Sequence, residues 1–493
     1  MLGAGVAGLA LGIVGAAAPT FAQSLDEVLV ETYETNPRLQ AQRAQLRSID
    51  EQVSQAFARY RPNLNIVGSS EANQSELSDV ESQLGGLPGA GQGGGSGATN
   101  QLGGTSNASQ TLVTNRVALN LNQNIYEGGG TVARIDGAVK QVGQQRAVLQ
   151  STEQEVFLDA VTAYTDVIAA RRVVDLAITN EQRLERQRQA TVDRFEVGEV
   201  TRTDVAQAEA RLAGAVAERV SADGELAQAI ARFESVVGFR PDDLPTRFAE
   251  LAGPASLVEA QARAEKNPGL AAAEFAVDVA LADVRVAQAG LLPTVDLDGS
   301  VGYTDEPSDT IGSQTDARIA ATVTIPLYQT GAEYSRVRQQ KQVVDQRRRE
   351  LDETRRDVNQ NVTEAWEGLV TASASARSFE EQVRANDIAL EGVRTEAQVG
   401  ARTVLDVLDA EQELFQAEVD LVDARATEVV ALYTLQSAMG ELTAEALGLG
   451  VEIYEPSAHY ETVRTQAFGT AAGRATTPLQ DIDFAREWGL VEE

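Results

Sequence analysis

The sequence predicts a mainly α-helical chain with membrane-type β structure, built as a duplicated helix–strand–strand–helix–helix unit. Three features predict it. The chain repeats itself, short stretches alternate apolar and polar residues, and two proline-free stretches of more than sixty residues carry heptad seams.

The repeat has two registers. Asn36-Pro37 recurs as Asn267-Pro268, a spacing of 231 residues that also carries Pro62 onto Pro293 and Gly68-Ser69 onto Gly299-Ser300. Beyond the strands the spacing is 202. It carries Tyr126 onto Tyr328, Val197-Gly198 onto Val399-Gly400, Thr201 onto Thr403, Asp204 onto Asp406 and Gly238 onto Gly440. The two registers differ by 29 residues, the extra length of one loop in the first half. The first repeat spans 23–238, a linker 239–256 follows, and the second repeat spans 257–445.

Strands are expected at about 61–70, 113–126, 292–303 and 317–328. Val117, Leu119 and Leu121 interleave with Asn120 and Asn122, and Val295, Leu297 and Val301 with Asp296, Asp298 and Ser300. One apolar and one polar face suits a sheet between lipid and water. A half-exposed sheet of a soluble protein has the same pattern. Four strands cannot close around water, and left open they present unpaired edges. Three copies give twelve strands, within the range of membrane barrels. The loop 71–110 is long and rich in glycine from Gly85 to Gly97, which places it on the extracellular side. Its counterpart, 304–316, is short and polar.

Long helices are expected at 131–195 and 332–398, each about 100 Å at 1.5 Å per residue, with shorter ones at 201–238 and 403–440. Val156, Ala160, Ala163, Val167, Ala170, Val174 and Ala177 follow 4-3 spacing, as do Val358, Val362, Ala365, Leu369, Ala372, Ala376 and Phe379. Such seams belong to coiled coils, and their alanines permit close approach. Val161, Tyr164 and Ile168 form a second stripe, so this helix can pack on two neighbours, as a ring requires. An ordinary antiparallel bundle accounts for the first seam equally well.

Composition narrows the function. With 41 Lys and Arg against 73 Asp and Glu, the net charge is −32, which opposes nucleic-acid binding. There is no cysteine, hence no disulfide, thiolate metal site or lipidated N-terminal cysteine. Residues 1–22 are uncharged and apolar and end in Thr20-Phe21-Ala22, which reads as a signal peptide with its cleavage site, though without a basic n-region; a short apolar anchor is the other reading. No later apolar run is long enough for a membrane helix, so strands must hold any membrane position. His459 is the only histidine, and neither a nucleophile nor a phosphate loop appears, so no enzyme and no cofactor are expected. The tail 446–493, with Trp488, reads as periplasmic and partly disordered. Trp366 reads as a seam residue.

Several motifs resemble the TolC family of outer-membrane efflux and secretion proteins over about residues 24–445. Ala56 through Pro62-Asn63-Leu64 is similar to its helix-to-strand junction. Ile125-Tyr126-Glu127-Gly128-Gly129 and Ile325-Pro326-Leu327-Tyr328 are similar to its strand-to-helix junctions. The run Val399-Gly400-Ala401-Arg402-Thr403-Val404-Leu405-Asp406 resembles its periplasmic-tip signature. The resemblance implies a homotrimer, with a twelve-stranded barrel in the outer membrane above a periplasmic α-helical barrel. It implies a passive exit duct for a tripartite efflux pump or type I secretion system. The tip is shut until an inner-membrane transporter and a periplasmic adaptor dock. It also maps gate positions onto Asp406, Asp409, Arg402, Asp204 and Thr203. The family often carries an aromatic residue three before the tip glycine; Phe195 fits, but Ala397 does not.

The tip residues have chemistry of their own. Gly198 and Gly400 suit tight reversals, and Thr201 with Asp204 and Thr403 with Asp406 fit helix-start boxes. Capping alone explains those two aspartates as well as a pore does. Asp409 has Gln207 as its repeat mate, so the helix start does not require it. Six carboxylates about a threefold axis repel one another, raise each other's pKa and bind cations weakly. Arg402 is expected to tether the tip to a carboxylate of its own or a neighbouring subunit. The rival reading is a periplasmic coiled-coil adaptor or scaffold, which explains the heptads but not two matching hairpins.

Overall fold

The computed structural model describes residues 24–76, 109–241, 244–245, 253–308 and 311–469. The expected signal peptide, the glycine-rich stretch Gly85–Gly97 and Trp488 lie outside them. The elements are α1 (Leu25–Thr35), α2 (Pro37–Ala58), β1 (Asn63–Glu76), β2 (Ser109–Glu127), α3 (Gly130–Glu196), α4 (Arg202–Val237) and α5 (Leu257–Ala264). They continue with α6 (Pro268–Ala289), β3 (Thr294–Ser308), β4 (Ile311–Thr324), α7 (Ala332–Gln398), α8 (Val404–Met439) and α9 (Pro456–Val463).

The strands form one antiparallel sheet in the order β1-β2-β3-β4, so β2 and β3 join the two repeats. Ile66, Leu119 and Val301 stand in one row across the sheet and are all exposed. The other face is polar. Asn122 Nδ2 donates to Asp298 Oδ1 at 2.6 Å and Asn124 Nδ2 to Asp296 Oδ1 at 2.8 Å. An apolar face without cover and a hydrogen-bonded polar face are what a barrel wall requires. No helix among the described residues is long and apolar enough to cross a membrane. The strands run further than the alternation predicts. β1 takes in 71–76, expected as loop, and β3 and β4 leave only 309–310 between them where 304–316 was expected. Cross-strand pairing continues through polar residues there, so the alternation fades before the ladder ends. β4 stops at Thr324, short of the expected 328, just before Pro326, which lacks the amide hydrogen a ladder needs.

The helices continue the order of the strands. α2 precedes β1, α3 follows β2, α6 precedes β3 and α7 follows β4, and α6 packs on both α3 and α7. Below the junctions, α4 lies along α3, and α8 lies between α3 and α7. α3 and α7 have 67 residues each, against 22 for α2 and α6 and 36 for α4 and α8. The shorter helices match the long ones only by stacking end to end. The repeated Asn-Pro motif makes that splice. Asn36 Oδ1 accepts from Arg38 and Leu39 N to start α2, while its Nδ2 donates to Val236 O at the end of α4, 2.9 Å away. Asn267 does the same for α6 and α8, donating to Ala438 O at 2.9 Å. Gly440 closes α8 with φ +86°, and a Cβ there would lie 2.9 Å from Asn267 Cα. Asn36→Ala and Asn267→Ala each cost about 1–2 kcal/mol, as loss of a helix start does. Asn→Asp keeps the cap, loses the donor and falls between; chemical unfolding in detergent measures all three.

The first heptad seam is buried except at Ala170, which is half-buried, and the stripe Val161, Tyr164, Ile168 is buried too. Trp366 packs beside Val362 and Ala365 against α5 and α8. Part of the expected tail lies against the helices, and 470–493 fall outside the described residues. Residues 441–469 are packed, with Leu442, Ala444, Leu449 and Val463 buried. Ala444 N donates to Glu153 Oε1 on α3, Tyr454 N to Tyr33 Oη, and His459 Nδ1 meets Asp50 Oδ2 at 3.0 Å. This strap follows no heptad, so periodicity could not reveal it.

Candidate functional site

The two inter-helix turns, 197–201 and 399–403, are built alike. Gly198 N donates to Phe195 O and Glu199 N to Arg194 O; Gly400 N donates to Ala397 O and Ala401 N to Glu396 O. Gly198 and Gly400 have φ of +80° and +76°, with open space where a Cβ would stand. Backbone handedness selects glycine here, and crowding does not.

Both following helices start with reciprocal boxes. Thr201 N donates to Asp204 Oδ2 at 2.8 Å and Asp204 N to Thr201 Oγ1 at 3.3 Å. Thr403 N donates to Asp406 Oδ2 at 2.9 Å and Asp406 N to Thr403 Oγ1 at 3.2 Å. The bonds that Asp406 Oδ2 accepts from Thr403 N and, at 2.8 Å, from Thr403 Oγ1, with the charge of Arg402 adding to them, hold the Asp406 carboxyl below the usual carboxylate range. That direction is set by donors within the protomer; the rise expected from crowded carboxylates belongs to three copies together. Arg402 Nε donates to Glu396 Oε2 at 2.8 Å, across the turn within the protomer. Thr203 is exposed on the first turn of α4.

Asp409 has a partner from another helix. Its Oδ1 accepts from Arg211 Nη2 of α4, and both side chains are about half exposed. It is therefore a paired acid that joins α8 to α4. Two residues on, Glu411 is buried and accepts from Arg394 Nη2 of α7 at 2.6 Å, its Oε2 without a hydrogen-bond partner. Sequence reasoning missed Arg211, Arg394 and Glu411. Their repeat mates are Glu413, Val192 and Glu209, so the internal symmetry gives no signal for the two arginines. Among the described residues no group of three or more His, Cys, Asp or Glu is placed to hold a metal.

A four-stranded sheet that continues into two very long and two spliced helices is the protomer of an outer-membrane channel. The crystal structure of the outer membrane protein VceC from Vibrio cholerae has this fold, at a TM-score of 0.69 and 18% identity over 84% of this chain and 96% of that one. Residues 28–238 and 260–441 match the family described as outer membrane efflux protein, and the chain belongs to that family. It is 34% identical over 449 residues to the outer membrane efflux protein BepC of Brucella suis, covering 91% of this chain and 92% of that one. It is 27% identical to the outer membrane protein TolC of Vibrio cholerae, over 88% and 94%. The family consists of outer-membrane channels with a periplasmic helical part, and they are channels rather than enzymes. The adaptor reading falls.

Proposed function

We propose that three copies close into a twelve-stranded barrel continued by a helical tunnel. A periplasmic adaptor and an inner-membrane transporter dock at its tip, and the assembly passively conducts their cargo out of the cell. One observation carries this reading: α4 presents two seams on opposite faces. Ala208, Ala215, Ala222 and Ala229 are buried within the chain. About 180° away, at 3.6 residues per turn, Ala206, Ala210, Ala213, Ala217, Val220, Gly224 and Ala227 run in strict 4-3 spacing and are all exposed. The α8 residues matching Ala206, Ala213 and Ala217 are Leu408, Phe415 and Val419, which pack in clusters with Leu184, Val174 and Ala177 of α3. By the internal repeat, the exposed seam of α4 fits α7 of a second copy. β1 and β4 have free edges on the same two sides. Repeating one such head-to-tail contact closes a ring.

At the tip, three copies gather Asp204, Asp406 and their neighbours about one axis. The turns at Gly198 and Gly400 form the narrow end, and Arg402 with Glu396 stiffens it. Anions are repelled there and cations attracted. Asp406→Asn keeps an oxygen for Thr403 N while it removes the charge. In planar bilayers Asp406→Asn lowers cation preference and divalent block more than Asp409→Asn does, since Arg211 already offsets Asp409. Unchanged selectivity in the double variant overturns the acidic gate.

A further inference from the structure

We infer that the C-terminal strap is a membrane anchor which plants Phe468 in the phospholipid of the inner leaflet, at the foot of the barrel; this rests on the channel reading above.

The strap climbs toward the sheet. Its successive partners are Tyr33 on α1, Asp50 and Ser54 on α2, and Arg61 two residues before β1. Arg61 holds its end. Nη1 donates to Gln466 O at 2.8 Å, Nη2 to Thr465 O at 3.0 Å, and Ser54 Oγ adds a third bond to Gln466 O at 3.1 Å. Three side-chain bonds to two consecutive carbonyls fix an otherwise irregular segment at one height. Gln466 Nε2 then donates to Phe468 O at 3.1 Å, and the Phe468 side chain stands 91% exposed.

The strap also lies on the outside. A cavity of about 1230 Å³ is lined by α3, α4, α7 and α8 together, with Asn267 and Gly269 at the start of α6. Since α4 and α7 are the two ends of the helix layer, a space lined by both is on its concave side. On α3, Ser151, Leu158 and Thr162 face that space, whereas Arg146 and Glu153 meet the strap. At 3.6 residues per turn those two sets point in nearly opposite directions. The strap therefore covers the convex side, away from the tunnel.

On the channel reading the apolar face of the sheet is the outer one, and it begins just past Arg61 with Leu64 and Ile66, 62% and 74% exposed. Tyr60 beside them is also exposed. Phe468 extends the lipid-facing band by one aromatic group at the level where barrels carry aromatic girdles. An aromatic ring at that level favours the boundary between headgroups and acyl chains. The chain has no cysteine to carry a lipid, and the strap supplies an attachment built from the fold itself.

The absence of cysteine makes the test direct. A nitroxide label is placed singly by Phe468→Cys, Ile66→Cys and Val197→Cys in the full-length channel, reconstituted in phospholipid vesicles. Collision with oxygen, which enters lipid, is compared with collision with a water-soluble nickel chelate. The label replacing Phe468 is expected to give an oxygen-to-nickel ratio several-fold above that at Val197, and to lie shallower than that at Ile66. A ratio equal to that at Val197 places Phe468 in water and overturns the anchor. Shielding from both reagents shows a protein contact and also overturns it. If the label at Ile66 is wet too, the barrel reading itself fails, which separates the two ideas.

Discussion

Ala217→Glu with Val220→Glu converts the assembly from trimer to monomer, while the protomer's own helix packing survives. The two positions are three apart, exposed, and lie on the α4 seam opposite its buried alanines. A seam of alanine and glycine brings helices close, and a carboxylate there has no room and no water once the partner arrives. Three interfaces each receive two buried, unpaired carboxylates, so each carries a penalty of several kcal/mol. Closure needs all three contacts, which makes the loss all-or-none. Light scattering in detergent reads the mass directly. Ser221→Glu, on the same helix but off the seam, leaves the trimer intact. A stable trimer of the double variant means that α4 faces solvent, and the ring reading fails with it.

That seam is written in the sequence, since 206, 210, 213, 217, 220, 224 and 227 carry only Ala, Val and Gly at 4-3 spacing. Its meaning is not, because alanine is common on any helix and such a stripe signifies a partner only when the opposite face is already covered. The long helices, the repeat and the two hairpins are legible for a firmer reason. Periods of 2 and 3.5 persist over many residues, and each repeat copy supports the other. The tip turns are legible from Gly198, Gly400 and their Thr-Asp boxes, which are local. Asp409 is half legible, because its partner Arg211 is set by the register between α4 and α8, a tertiary fact. Asn36 and Asn267 stand out as marks of the repeat, but their role as splices needs the end of another helix to be in place. The strap is hidden altogether. It is held by scattered hydrogen bonds with Tyr33, Asp50, Ser54, Arg61 and Glu153 and by isolated buried residues such as Leu442 and Val463, and such contacts leave no periodic trace.

The strap's strongest dependence is on one pair. Asp50 is fully buried on α2, its Oδ2 bonded to His459 and its Oδ1 without a partner. Burial raises its carboxyl above the ordinary 3.8; the hydrogen bond and charge of His459, then Arg146 of α3, pull it back, and neighbouring Glu51 adds a small rise. The folded state thus binds a proton that the unfolded chain releases near 3.8. Stability from this group therefore falls as pH rises from about 3.8 through the folded value, and is level above it. His459→Ala removes the largest contributions that lower the carboxyl, so that window extends upward. It also leaves a buried carboxylate with no bonding partner, at a cost of about 1–3 kcal/mol or more while charged. The expected result is a loss of strap stability that is larger at pH 7 than at pH 4, because the raised Asp50 carboxyl holds its proton more as the pH falls and less charge is then left unsolvated. Hydrogen exchange across α9 resolves this locally, and His459→Ala with Asp50→Asn recovers part of the loss at pH 7 because no charge remains to be solvated. Equal protection loss at both pH values would show that His459 contributes only packing. If the double change recovers nothing, Asp50 is not the group that titrates, and the strap is held by Glu153 and Arg61 instead.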